Sequence, residues 1–178
     1  MNATIHVASI VAVALSALPA STQTWTQLAP AASPPSRWDH AIAHDSARQR
    51  LVLFGGIGGP LLGDTWVWTG LTWTQLTPPA SPSARREHAM AYDAARQRIV
   101  LFGGYGNGGF LGDTWEWDGT NWLAGFSLNY PSPRYQHAIA YDEMRQRVVL
   151  FGGSNGPTLL GDTWEWDGTN WIQLSPPR

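Results

Sequence analysis

The chain of 178 residues contains no cysteine and no lysine. Without cysteine it cannot form disulfides, thiolate metal sites, thiol nucleophiles or a lipid anchor on a cysteine. All 11 basic residues are arginine, only 13% of the residues are charged, and the net charge is −2. Phosphate neutralisation requires clustered basic side chains, which this composition lacks. We therefore expect no nucleic-acid partner.

Long hydrophobic runs are also scarce. The one candidate extends from Val7 to Leu18 and is short for a transmembrane helix. Small residues follow it, with Ala20 at the expected cleavage position, although the segment before it offers only the amino terminus and His6 as positive groups. This layout is typical of a signal peptide, here residues 1–20. We expect a secreted, extracellular or periplasmic mature chain with no membrane span; an uncleaved anchor is the alternative.

Tryptophan, by contrast, is abundant, with 11 residues. Most of them lie in one sequence motif that occurs three times, as GDTWVWTGLTW at 63–73 and as GDTWEWDGTNW at 112–122 and 161–171. Its first aspartates are 49 residues apart. Self-similarity at this period indicates a repeat protein. The mature region, 21–178, divides into units 37–76, 85–125 and 134–174.

Each unit has the pattern of four short strands, a to d. Strand a is similar to HAIAYD, and strand b, similar to RVVLFGG, is the continuous apolar run expected of a strand covered on both faces. Strand c, DTWEWD, alternates with period two, and strand d resembles WTQL. Four antiparallel strands per unit predict an all-β propeller arc of three four-stranded blades. A further WTQL at 25–28 predicts one extra, isolated N-terminal strand.

The pieces LVLFGG, IVLFGG and VVLFGG are each followed by a variable loop, an aromatic pair in DTWVW or DTWEW, and a last tryptophan. This order resembles the kelch repeat, and the resemblance extends from Trp25 to the C-terminus. It implies a β-propeller that binds proteins or glycans, without a cofactor. We therefore expect a non-catalytic binding module, bearing in mind that a fold alone does not decide a function.

The residues that recur in every unit are expected to be structural, because a functional site that occurs once per molecule seldom has its residues repeated in every blade. The paired tryptophans predict packing between blades rather than a sugar platform. Asp45 with Arg48, and its counterparts, predict a tied turn. The recurring histidines favour hydrogen-bonded strand starts over a metal site, and no dense oxygen-ligand loop supports calcium. The residues concerned are Trp66, Trp68, Trp115, Trp117, Trp164 and Trp166; His40, His88 and His137; and Asp64, Asp113 and Asp162.

The motifs of two enzyme classes with propeller folds are absent from the sequence. Copper radical oxidases use a cysteine cross-linked to tyrosine, and cysteine is absent. Sialidases use an arginine cluster, and Arg37, Arg85 and Arg134 do recur, but WDGTNW lacks the spacing of the sialidase aspartate box. No catalytic residue is assigned; a sialidase-like or other propeller glycan hydrolase or lyase remains the alternative.

Variation among the units falls in the b–c and d–a connections. These lie at one end of an up-and-down meander, so the variable residues share one face. Loops on a rigid scaffold commonly carry binding residues, although neutral drift gives the same pattern. The predicted ligand-binding residues are Trp38, Asp39, Arg86, Glu87, Tyr105, Asn107, Phe110, Tyr130, Tyr135, Gln136 and Asn155.

Three blades fall short of the about four to eight of a closed propeller. The open ends predict that the isolated chain is not a stable monomer. Either the chain is an inactive fragment of a longer kelch propeller, or a homodimer closes a six-bladed ring. The additional WTQL at 25–28 speaks against the dimer, because it would compete with the partner's WIQL at 171–174 for one blade edge.

Overall fold

The computed structural model describes residues 26–175, so the expected signal peptide and Trp25 lie outside the described residues. Over this range the chain is all-β, and no helix has the length and apolarity needed to cross a bilayer. The strands are β1 (Ala41–Asp45), β2 (Arg50–Ile57), β3 (Leu61–Trp68), β4 (Trp73–Leu76), β5 (Arg85–Arg86), β6 (Ala89–Asp93), β7 (Arg98–Gly106), β8 (Gly109–Trp117), β9 (Trp122–Gly125), β10 (Ala138–Asp142), β11 (Arg147–Phe151), β12 (Thr163–Trp166) and β13 (Trp171–Leu174).

The strands form three antiparallel sheets, one for each repeat. Blade 1 has the order β1-β2-β3-β4, and blade 3 has the order β10-β11-β12-β13. In blade 2, β7 pairs with both β5 and β6 and is followed by β8 and β9. Strand β6 lies against both β1 and β10, so strand a of each repeat lines the centre of a propeller-like arc. The predicted all-β fold with three four-stranded blades is confirmed.

The strand beyond the three sets of four is β5, not one at the N-terminus. Of the segment 25–28, residues 26–28 form no strand. A strand in position d needs a strand c beside it, and within the described residues no strand c precedes this segment. The N-terminal segment instead passes along blade 1, where the Trp73 N–H donates to the Ala32 carbonyl at 3.3 Å.

The b–c connections are more regular than the sequence indicated. β2 and β7 continue past their Gly-Gly through a bulge and pair again with the next strand, as in Gly56 with Leu62 and Gly104 with Leu111. In blade 3, β11 ends before its Gly-Gly, and Ser154 makes only isolated bridges to Tyr135 and Leu159. The variable segments of blades 1 and 2 are therefore ordered hairpin ends rather than irregular loops.

Each blade has two unlike faces, and the core lies between them. The tryptophan face carries the second tryptophan of strand c and the tryptophan of strand d; the phenylalanine face carries the phenylalanine of strand b and the threonine of strand c. Trp117 and Trp122 of blade 2 pack on Val52 and Phe54 of blade 1. In the same way, blade 3 applies its tryptophan face to Phe102 of blade 2. Strand b of blade 2 is thus covered on both sides, as predicted, whereas the strand b of blade 1 and that of blade 3 each have one neighbouring blade among the described residues.

The repeated tryptophans divide into two roles. Trp117 and Trp166, like Trp122 and Trp171 of strand d, are each only 1% exposed between blades, so the predicted packing role is confirmed for Trp117 and Trp166. Trp164 also lies in the core between blades 2 and 3, and the partly buried Trp115 packs against the core between blades 1 and 2. The first tryptophan of strand c also points its indole N–H to an aspartate of its own blade. The distances are 2.6 Å for Trp66 to Asp64, and 2.7 Å for both Trp115 to Asp113 and Trp164 to Asp162.

The a–b turns are tied down as the sequence predicted. The Arg48 backbone N–H donates to the Asp45 carboxylate at 3.2 Å, and the Arg48 guanidinium forms an ion pair with the same carboxylate. Arg96 with Asp93 repeats the arrangement, and Arg145 with Asp142 does so at 2.8 Å. Arg48 and Arg96 also reach the neighbouring blade, since Arg48 donates to the Gln97 carbonyl at 3.5 Å and Arg96 to the Gln146 carbonyl at 3.4 Å.

Candidate functional site

The meander places the b–c and d–a connections at one end of the arc. Five of the predicted ligand-binding residues meet there, contributed by all three blades, and we call them the rim cluster: Trp38, Arg86, Tyr105, Phe110 and Tyr135. Arg86 stands opposite Tyr105 in the β5–β7 register, and Tyr105 stands opposite Phe110 in the β7–β8 register. Trp38 and Tyr135 lie in the bridges that open the first and third units. The cluster therefore rests on paired backbone.

Arg86 sits between two aromatic rings of the rim cluster. Its guanidinium carbon lies 5.9 Å from the centroid of the Trp38 ring and 5.3 Å from that of Tyr105. Asp39 and Glu87 neutralise it from the side, at 3.9 Å and 3.7 Å. Cation–π contact and ion pairing together hold this side chain in one place. Trp38, in turn, is 58% exposed and offers an open ring.

The other end of the rim cluster is an aromatic stack. The Phe110 and Tyr135 rings lie parallel within 15° with centroids 5.3 Å apart, and Tyr105 meets Phe110 edge-on at 5.3 Å. Phe110 is 38% exposed. A β-carbon added at Gly156 would come within 2.8 Å of the Phe110 ring, so the loop containing Asn155 lies directly beside the stack.

A row of three residues in the left-handed region lies beneath the rim cluster. Asp39, Glu87 and Gln136 have φ angles of 54°, 55° and 56°. The Glu87 N–H donates to the Asp39 carbonyl and the Gln136 N–H to the Glu87 carbonyl, both at 3.0 Å. The Gln136 amide also donates to the Glu87 carboxylate at 2.7 Å. Each such conformation costs about 1 kcal/mol or more outside glycine, so packing between blades must hold it.

Two of the predicted residues lie apart from the rim cluster. Asn107 is exposed at the tip of the β7–β8 hairpin. Tyr130 lies in the d–a connection and borders an open cavity of about 560 Å³ together with Trp164 and Trp171. The structure thus separates Asn107 and Tyr130 from the rest and places the Asn155 loop beside the cluster. The predicted residues that it brings together are Trp38, Asp39, Arg86, Glu87, Tyr105, Phe110, Tyr135 and Gln136.

The recurring arginines before strand a do not form a cluster with one another. Each makes a two-pronged pair with the aspartate that opens strand c of its own blade, and each also donates to a Gly-Gly carbonyl. Arg85 reaches Asp113 at 2.6 and 2.7 Å and the Gly103 carbonyl at 3.0 Å. Arg85 and Arg134 are fully buried. The aspartates considered as calcium ligands are thus occupied by guanidinium groups.

These pairs set the charge state of the aspartates. Hydrogen bonds from Arg134 lower the pKa of Asp162 to about 2, although burial acts in the opposite direction. Burial alone would raise the pKa of Asp113, but the hydrogen bonds and charge of Arg85 lower it below its usual range. Sequence reasoning missed these pairs because the partners are 28 residues apart. The one feature of the sequence that could have revealed the pairs is that the arginine and the aspartate both recur in every repeat.

The histidines are packing residues at the blade interfaces. The His88 ring meets the Phe54 ring edge-on at 5.6 Å, and His137 meets Phe102 in the same way at 5.5 Å. Burial, reinforced by the charge of Arg85, lowers the pKa of His88 to about 3. Burial and Arg134 lower the pKa of His137 to about 4.

The two buried imidazoles are weakly hydrogen-bonded at most. Both ring nitrogens of His88 and of His137 lack a well-formed hydrogen bond among the described residues, whereas the Phe54 and Phe102 carbonyls face them and act to raise their pKa values against the effect of burial. The hydrogen-bonded strand start therefore stays a prediction for these two positions. Between residues 26 and 175, no group of three histidine, aspartate or glutamate side chains is arranged to hold a metal ion.

No protein-family model matches the chain, and a search of curated proteins found no match either.

Proposed function

We propose that the chain is an exported, kelch-type binding module without catalytic activity, and that its rim cluster binds a protein or glycan ligand. The observation that carries the proposal is the convergence of variable residues from all three blades on one connected surface. Neutral drift in separate loops gives no reason for such contacts. Tryptophan, tyrosine and arginine are also the residue types that most often dominate binding energy.

The chemistry of the rim cluster suits ligands with both apolar and hydroxyl-rich surfaces. The exposed Trp38 ring offers a flat apolar face. Beside it, the Asp39 side chain is 28% exposed, and one of its carboxylate oxygens is buried against the Arg86 guanidinium at 3.9 Å. A sugar hydroxyl or a peptide N–H of the ligand can donate to this carboxylate.

The arrangement of arginines supports binding over sialidase-like catalysis. The arginines that motivated the enzyme alternative, Arg37, Arg85 and Arg134, are each paired with an aspartate of their own blade. Using one of them to hold a substrate carboxylate would require breaking a two-pronged ion pair. Breaking such a buried pair costs about 3–5 kcal/mol.

The geometry of the Gly-Gly pair supports the kelch-type proposal. Gly55 has a φ of 65°, and a β-carbon there would lie 2.7 Å from the Arg85 carbonyl of the next blade. Gly103 repeats this against the Arg134 carbonyl at 2.6 Å. Only glycine permits this approach of two blades, which gives the repeated Gly-Gly a physical reason.

Loss of the two exposed rings should abolish ligand binding while the fold is retained. Screening the chain on a glycan array and in pull-downs from extracellular protein identifies the ligand class. For the ligand found, the double variant Trp38→Ala with Phe110→Ala should weaken binding at least about 30-fold, as expected for central aromatic contacts. Far-ultraviolet circular dichroism should show an unchanged β spectrum.

The matched control changes two exposed apolar side chains at the opposite end of the arc. Leu71 and Met144 lie in c–d and a–b turns and are 83% and 97% exposed. The double variant Leu71→Ala with Met144→Ala should bind as the parent does. If this control loses binding and the rim variant retains it, the ligand binds the other face and the proposal is wrong.

Export is tested separately at the N-terminus. The layout of residues 1–20 predicts cleavage after Ala20, so mass spectrometry of the protein from its host should give a mature N-terminus at or near Ser21. Detection of intact chain beginning at Met1 as the main species would contradict cleavage and favour the anchor.

A further inference from the structure

The two ends of the arc are different surfaces, and each is half of the interface that repeats inside the arc. Blade 1 has no blade against its tryptophan face, and blade 3 has none against its phenylalanine face, within the described residues. Phe54 and Phe102 are completely buried, whereas Phe151 in the same position of blade 3 is 57% exposed. At the other end Ile42 is 44% exposed, while its counterpart Met90 is buried.

The internal interfaces are fixed by indole N–H donors on one side and oxygen acceptors on the other. Trp122 donates to the Thr65 hydroxyl at 2.9 Å, and Trp171 donates to the Thr114 hydroxyl at 2.8 Å. A further bond at 2.9 Å joins the Trp166 indole to the Glu116 carboxylate.

The open ends carry the same groups without a neighbouring blade. Thr163 and Glu165 occupy the acceptor positions on the phenylalanine face of blade 3. Trp68 and Trp73 occupy the donor positions on the tryptophan face of blade 1. One end thus presents two acceptors and the other end two donors.

The a–b turns show the same complementarity. Arg96 of blade 2 donates to the Gln146 carbonyl of blade 3 at 3.4 Å and lies over Gly168. Arg48 of blade 1 covers Gly119 of blade 2 in the same way. At the ends, Arg145 has no following blade and is 56% exposed, and Gly70 has no atom within 4 Å of an added β-carbon.

We infer that the phenylalanine face of blade 3 binds the tryptophan face of blade 1 in a second copy of this chain, and that two such contacts close a six-bladed ring. The occupant is a second copy because each donor or acceptor position at one end has its repeat-defined partner position at the other, although Arg145 of blade 3 already pairs with the Glu165 carboxylate at 2.7 Å. A head-to-tail contact used twice gives a closed two-fold assembly. Six blades also lie within the about four to eight of closed propellers.

Two features of blade edges are compatible with this ring. β13 already pairs with β12 as the outer strand of blade 3, and residues 26–28 form no strand that occupies a blade edge in the single chain. The segment around Leu28 and Ser33 borders a cavity of about 400 Å³ beside Trp68 and Trp73. It shields only the outer part of this face and leaves Ile42 uncovered.

The test is subunit complementation in sedimentation equilibrium on the full chain. The parent should sediment at twice its monomer mass. Phe151→Arg disables one end and Trp73→Arg the other, so each variant alone should dimerise at least about 100-fold more weakly, as expected for a charge placed in an apolar interface. An equimolar mixture of the two variants retains one intact contact and should again form dimers, well above either variant alone.

The controls separate this contact from general stickiness and from misfolding. Phe126→Arg changes a 93% exposed ring between the ends and should leave dimerisation unchanged. If Trp73→Arg fails to fold, Ile42→Arg on the same face replaces it, and Glu165→Arg is the corresponding second choice for the other end.

Three results would overturn the inference. The first is a parent chain that remains monomeric at high micromolar concentration. This result would mean that the ends are covered by the chain's own N-terminal segment or stay exposed. The second is association that neither end variant weakens, or that the mixture of the two fails to restore. The third is assembly beyond the dimer that grows with concentration, which would mean that the contact does not close.

Discussion

Replacing Trp122 by Ala should lower the free energy of unfolding by about 3–5 kcal/mol, the usual effect of truncating a buried aromatic ring. Trp122 is 1% exposed between blades 1 and 2. Its ring meets Phe54 edge-on at 5.3 Å, and its N–H donates to the Thr65 hydroxyl at 2.9 Å. The substitution therefore opens a cavity and also leaves Thr65 without its donor. Urea titration followed by circular dichroism measures the change.

The repeat supplies its own matched control, because Trp73 occupies the same position of strand d in blade 1. Trp73 is half-buried and contacts Trp68 at 5.6 Å, with no blade beyond it among the described residues. Trp73→Ala in a background held monomeric by Phe151→Arg should lower stability by only about 1–2 kcal/mol. Equal losses for Trp122→Ala and Trp73→Ala in that background would contradict the division into covered and open faces.

Acidification from pH 6.5 to pH 4.5 should lower the free energy of unfolding by about 2–3 kcal/mol for each of His88 and His137. For each pH unit over which only the unfolded chain binds the proton, the folded chain loses about 1.4 kcal/mol of stability. Burial lowers the pKa of these imidazoles to about 3 and about 4 in the folded chain, against 6.5 when they are free. Between those values the unfolded chain binds protons that the folded chain excludes. The histidine contribution is therefore complete above pH 6.5 and is lost as the pH falls towards 4.

The carboxylates act in a lower window. The pKa of Asp162 is brought to about 2 by Arg134, so its contribution is lost only below its unfolded pKa of 3.8. Unfolding free energies measured at pH 7, 5.5 and 4.5 therefore report mainly on the histidines. The double variant His88→Gln with His137→Gln should flatten the slope. A slope that survives in the double variant would place the responsible group elsewhere.

The repeat and its strands could be predicted because local pattern and period carry that information. Strand b of blade 2 reads as an apolar run because blades cover both its faces, and Leu101 and Phe102, which lie on opposite faces, are indeed fully buried. The turn chemistry of Asp45 and Arg48 was equally readable, since both partners lie within one turn. The segment 26–28 was misjudged because a WTQL pattern shows strand propensity and cannot show whether a neighbouring strand is there to pair with it.

The variable positions of the candidate site could be predicted from the sequence, but the contacts between their side chains could not. The stacking of Phe110 on Tyr135 joins two blades, and the placement of Arg86 between Trp38 and Tyr105 depends on the approach of blades 1 and 2. Such contacts depend on the rotation from one blade to the next, which no local pattern specifies. Tyr130 was grouped with the others for being variable, but its loop runs towards the outer cavity.

The unlike faces of each blade bear on how a gene of this kind changes length. Because a unit offers donors on one side and acceptors on the other, an in-frame duplication of one whole unit inserts a blade that finds a matching neighbour on both sides. No new contact has to evolve before the longer chain can fold. The differences that accumulate afterwards can then concentrate at the hairpin ends, as Tyr105 and Ser154 illustrate in equivalent places of blades 2 and 3.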